Sequence, residues 1–148
     1  MASFAQLDSN NIVENVIEVS SDDMKDDNGD IYENIGVAFC QKALGGGTNW
    51  KQSSIASDIN DKFRGNPAGV GYTYMTDVQT LGVAKTDIFI AQQPYPSWSI
   101  GINTARWYPP ANPGPAPIPP ESDRGNGKYY VWSESNYNSD PSTAWVLT

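Results

Sequence analysis

The stretch Phe4-Ala5-Gln6-Leu7-Asp8-Ser9-Asn10-Asn11-Ile12-Val13-Glu14-Asn15-Val16-Ile17-Glu18-Val19 decides the fold class. Phe4 to Leu7 has the composition of a short strand. Asp8-Ser9-Asn10-Asn11 is a cluster of turn formers, and the β-branched run from Ile12 to Val19 is strand chemistry again. The segment predicts a β-hairpin. Its polar positions, Glu14, Asn15 and Glu18, do not alternate cleanly with the apolar ones, so the buried face of the second strand stays open.

The chain after the hairpin is dominated by the same kind of signal. An acidic loop, 21–30, carries Asp22, Asp23, Asp26, Asp27 and Asp30. Asp30 with Glu33 has the form of a capping box, followed by Ile35, Phe39 and Ala43 at four-residue spacing, with Cys40 and Leu44 alongside. This predicts one short amphipathic helix, stopped by Gly45-Gly46-Gly47. Strand chemistry returns at Trp50–Ser53, Gly71–Met75 and Asp87–Ala91, separated by a polar linker at 54–68 and a long loop at 76–86. Trp98–Gly101 and Ala105–Tyr108 form a tight hairpin around Ile102-Asn103-Thr104. Residues 109–120 contain seven prolines in twelve positions, an extended connector of about 35 Å in polyproline form. Lys128–Trp132 and Thr143–Leu147 close the chain as an aromatic hairpin around a polar loop.

The expected architecture is therefore mainly β (α+β): antiparallel strands and hairpins with one short helix, a proline-rich arm and a C-terminal aromatic hairpin. The boundaries are a main domain at 1–108, an extended arm at 109–127 and a terminal hairpin at 128–148. A lone hairpin is not stable in water, so the terminal pair must dock, and the stiff arm favours docking on a neighbouring subunit over folding back.

Composition narrows the function. The 148 residues carry a formal charge of −8 and a sequence pI near 4.2. Phosphate backbones and anionic membranes repel such a surface, so neither nucleic acid nor membrane is an expected partner. No apolar run is long enough to span a bilayer, and residues 1–7 lack the basic and apolar regions of a signal peptide, which predicts synthesis in a cytoplasm.

There is no histidine, and Cys40 is the single cysteine. Ser-His and Cys-His nucleophiles and Cys/His zinc sites are thereby excluded. Cys40 lies on the apolar stripe of the expected helix and reads as an inert thiol. Asp26-Asp27-Asn28-Gly29-Asp30 superficially resembles a calcium loop, but with Gly29 at the sixth position Met24 and Ile35 fall where oxygen ligands belong. Glu14, Glu18, Asp87 and Glu134 lie in or beside strands, where a glycosidase pair of carboxylates could form, but nothing in their context marks them. Neither glycine cluster (45–47, 69–71) has the sequence of a phosphate loop. The reading is a protein without catalytic, cofactor or metal residues.

The aromatics remain. Tyr95, Trp98, Trp107, Tyr108, Tyr130, Trp132 and Trp145 are the candidate interface residues, with core packing and a sugar-stacking platform as alternatives.

Several blocks resemble a family of small virion structural proteins from marine and cyanobacterial tailed phages. They are the opening residues 4–13, Ala38-Phe39-Cys40-Gln41 with Trp50-Lys51-Gln52, the run Arg64-Gly65-Asn66-Pro67-Ala68-Gly69-Val70-Gly71-Tyr72-Thr73-Tyr74, and Asp87-Ile88-Phe89-Ile90 leading to Gln93-Pro94-Tyr95-Pro96-Ser97-Trp98. Tyr130, Trp132 and Trp145 match more loosely. The resemblance covers roughly 4–108 and departs from the family at 75–86 and in the proline arm. It implies a virion component without enzymatic activity; multiple copies per particle are expected. The expected role is capsid decoration or cementing, with the major capsid protein as partner. A tail or baseplate component, and a particle-borne carbohydrate-binding module, are the alternatives.

Overall fold

The computed structural model describes residues 1–45, 49–55, 63–78, 87–101 and 104–148. The expected turn at Ile102-Asn103, Gly46 and Gly47, most of the 76–86 loop and much of the 54–68 linker lie outside the described residues. The fold is mainly β with short helices. Its strands, all antiparallel to their partners, are β1 (Ala2–Leu7), β2 (Val13–Val19), β3 (Asn49–Ile55), β4 (Thr73–Thr76), β5 (Asp87–Ile90), β6 (Ser99–Ile100), β7 (Trp107–Tyr108), β8 (Tyr130–Trp132) and β9 (Trp145–Leu147). Three helices are described where the sequence predicts one: α1 (Glu33–Leu44), α2 (Glu121–Arg124) and α3 (Glu134–Ser139). The two extra helices are single turns to a turn and a half. Helices that short leave no readable hydrophobic period.

The chain divides into two compact units, 1–92 with 101–106, and 93–100 with 107–148. The division departs from the expected boundary at 108, because residues 93–100 pack with the C-terminal segment.

In the first unit the predicted hairpin forms, with β1 central in the sheet order β2-β1-β3. Both faces of β1 are buried. Ala2 and Phe4 point into a core with Val19, Met24, Cys40 and Trp50, while Ala5 and Leu7 join Val13, Tyr74 and Phe89 on the other side. The two cores follow from the period of two along a strand. A β-bulge between Gln6 and Leu7 explains the imperfect alternation of β2. Leu7 pairs with Val13 and Ala5 with Val16, so Val13 and Val16 share one face although three positions separate them.

Helix α1 lies over the Phe4 core with a different face from the one expected. Gly36 and Cys40 are its buried residues, whereas Phe39, Ala43 and Leu44 are exposed. The Phe4 ring sits where a side chain on Gly36 would be, so this glycine admits the close approach of helix and strand. The expected capping box is also replaced. Tyr32 is the N-cap and Glu33 the first helical residue. Gly45, at φ +94°, ends the helix as predicted.

In the second unit the 109–120 segment is not a fully extended connector. It turns at 111–113, where Asn112–Pro113 is a cis peptide, and Gly114 N–H donates to the Pro110 carbonyl at 3.0 Å. Gly114 is buried, and its carbonyl accepts from Trp145 Nε1 at 2.9 Å. The terminal hairpin therefore packs on its own chain and not away from it. The loop between β8 and β9, predicted as simply polar, holds α3, whose N-cap Ser133 accepts from Asn136 N–H at 3.3 Å.

Candidate functional site

The second unit is organised around rings. Tyr95 and Trp98 lie on the Pro94–Trp98 segment, where proline restricts the backbone to an extended path. Trp132 and Trp145 oppose each other across β8 and β9. Ring centroids are 5.7 Å apart for Trp98–Trp132, 6.1 Å for Trp98–Trp145 and 5.2 Å for Trp132–Trp145, all edge to face. Tyr95 stacks at 5.5 Å from Trp98, and Tyr137 of α3 at 5.2 Å from Trp132. These are the separations at which aromatic pairs attract through their quadrupoles.

Of the seven candidate interface residues, four meet here: Tyr95, Trp98, Trp132 and Trp145. Trp107 and Tyr108 sit on β7 and Tyr130 on β8, outside this group of rings. Tyr108 is exposed and Trp132 buried. Sequence reasoning did not find Tyr137, because the helix that carries it was not legible.

Glu134 holds the cluster in register. Its carboxylate accepts from Trp132 Nε1 at 2.8 Å, from the Ser97 hydroxyl at 2.7 Å and from Ser97 N–H at 3.1 Å. The bond from Trp132, and then those from Ser97, hold this carboxyl below its ordinary range. Trp98 Nε1 is buried without a hydrogen-bond partner among the described residues.

The outer side of the terminal hairpin has the opposite character. Val131 and Val146 pair across the strands and are 37% and 40% exposed, with Tyr129 at 60% beside them.

The first unit has a polar cluster at Arg64. Its guanidinium donates to Glu33 Oε1 at 2.6 Å, Asp87 Oδ2 at 2.7 Å and the Gln52 carbonyl at 2.7 Å. Tyr74 Oη donates to the same Asp87 oxygen at 2.6 Å. Burial opposes the charge on Arg64, but the two carboxylates outweigh it and hold its proton more tightly than usual. Burial, with the bond to Asp87, pushes the Tyr74 phenol well above its ordinary value. The cluster ties α1, β3, β4 and β5 together. Asp87 is thus committed to an ion pair and Glu134 to three donors, while Glu14 and Glu18 point to solvent.

Cys40 is fully buried, and burial pushes its thiol up to about 11. In the acidic loop, Asp26 Oδ1 accepts from Asn28 and Asp30 N–H at 2.9 Å each, and Asp22 pairs with Lys25. Among the described residues no three potential ligands converge on a metal position, and no helix is long and apolar enough to cross a membrane.

No family model, curated protein or solved structure matches this chain.

Proposed function

We propose that this protein is a structural component of a tailed-phage particle that decorates or cements the capsid exterior. The observation that carries the reading is the distribution of exposed apolar side chains on a strongly acidic chain. Val70 is 71% exposed, Ile118 of the proline segment 76%, Leu44 52% and Tyr129 60%. Apolar side chains left in solvent gain from being covered when a partner docks, and net negative charge opposes self-association before assembly. The resemblance of the 4–108 blocks to small virion proteins supports the same assignment. The aromatic cluster contributes scaffold, since its rings face one another and leave little face for a sugar.

Copy number per particle tests the reading. Hundreds of copies are expected for a head lattice, while a few or dozens would move the protein to the tail. Particles lacking it are expected to release their genome at lower temperature or milder osmotic shock. Unchanged particle stability would refute cementing.

A further inference from the structure

The terminal hairpin is a two-stranded sheet with an open edge on each strand, and the edge of β9 is the one without a charged side chain beside it. Tyr129 and Thr148 exchange both backbone bonds, Thr148 N–H at 2.8 Å and Tyr129 N–H at 3.1 Å, and Ser133 N–H donates to Ala144 at 2.7 Å. In an antiparallel pair, bonded and non-bonded positions alternate. Val131–Val146 is therefore a bonded pair, whereas Tyr130–Leu147 and Trp132–Trp145 are not. It follows that the N–H and C=O groups of Trp145 and Leu147 point away from β8. Neither residue makes another backbone hydrogen bond among the described residues.

Two other strands, β2 and β8, carry charges that disfavour edge pairing. β2 presents the exposed carboxylates Glu14 and Glu18, and β8 is preceded by the exposed Lys128. Residues 143–148, Thr-Ala-Trp-Val-Leu-Thr, carry no charged side chain and no proline.

We propose that β9 pairs antiparallel with β9 of a second copy, about a two-fold axis at Val146. The edge is self-complementary in this register, and registers centred on Trp145 or Leu147 would join only one bonded pair from these two residues. Trp145 faces Leu147 of the second copy and Leu147 faces its Trp145, so four backbone bonds form and every outward group of the strand is used. Val146 meets its own equivalent in a non-bonded pair, with side chains close together. Val131, Val146 and their two equivalents then make one apolar row across a four-stranded sheet. Trp145, Val146 and Leu147 bring no charged side chain to the axis, which is what a second copy of an acidic chain requires. A basic partner strand would gain nothing from that neutrality. The interface is small, so association is weak in dilute solution and favoured where copies are held at high local concentration. This inference does not rest on the virion assignment.

Sedimentation equilibrium of the full chain up to about 1 mM is expected to show a monomer–dimer equilibrium that strengthens with salt, as screening reduces repulsion between acidic chains. Amide exchange at Trp145 and Leu147 should slow as concentration rises. V146K and V146E, each placing like charges on the axis, should separately weaken the dimer by about fivefold. An equimolar mixture of the two should restore it, with the opposite salt dependence. Val146 is solvent-facing, and unchanged near-ultraviolet circular dichroism would show that the variants keep their ring packing. A wild type that stays monomeric, a V146K that dimerises like wild type, or a mixture that fails to associate would each overturn the proposal.

Discussion

Arg64 combines a planar donor fork with three acceptors on three different segments, a role lysine cannot reproduce with a point charge. Arg64→Ala leaves Glu33 and Asp87 facing each other without their cation. It should cost about 2–4 kcal/mol, short of the largest values for buried pairs because water reaches both carboxylates. Urea unfolding followed by circular dichroism measures it. Gly36→Ala sets a gain in helix propensity of about 1 kcal/mol against overpacking of the fully buried Phe4 ring. Overpacking wins, and a loss of about 1–2 kcal/mol is expected in the same assay. Glu134 gives a pH signature. Its carboxyl is held below its unfolded value, so its stabilising contribution is complete above the ordinary carboxylate range. That contribution disappears as pH falls through the lowered value. Tryptophan emission should report loosening of the ring cluster on that acid limb, and Glu134→Gln should flatten the dependence. An unchanged acid limb in the variant would remove Glu134 as its cause.

At the scale of elements, the bulge in β2 does more than interrupt a ladder. It moves Val16 to the face of Val13 and leaves Asn15 in solvent, although strict alternation from Val13 would bury Asn15 and expose Val16. Val16→Asp should therefore destabilise the protein by about 1–3 kcal/mol, because a charge enters the Ala5–Tyr74–Phe89 core. Asn15→Asp should stay within about 0.5 kcal/mol of wild type. Equal effects at the two positions would contradict the bulged register. The same logic of edges explains why β2 and β9 differ in what they can bind: one strand is charged outward, the other is not.

For the whole molecule, the division into two units predicts how truncation behaves. The first unit contains both described apolar cores and the Arg64 cluster. A chain ending at Arg106 should still unfold cooperatively. It keeps Trp50, which is 2% exposed, and Trp98, which loses Trp132 and Trp145. Iodide should then quench one tryptophan freely and the other hardly at all. Loss of cooperative unfolding would mean that the first unit depends on the second.

Much of this fold was legible in residue chemistry alone. The β1–β2 hairpin, the strands at 49–55, 73–76 and 87–90, the paired aromatic strands and the glycine that ends α1 all follow from local preferences acting over a few residues. The absence of histidine excluded whole classes of chemistry before any fold was known. Tertiary structure decided the rest, because those features rest on contacts between distant residues. Whether α1 buries Phe39 or Gly36 depends on where Phe4 lies. Whether prolines 109–120 extend or turn depends on Trp145 reaching Gly114. Whether Trp98 belongs with Trp107 or with Trp132 depends on packing across more than thirty residues of chain, which no local pattern encodes.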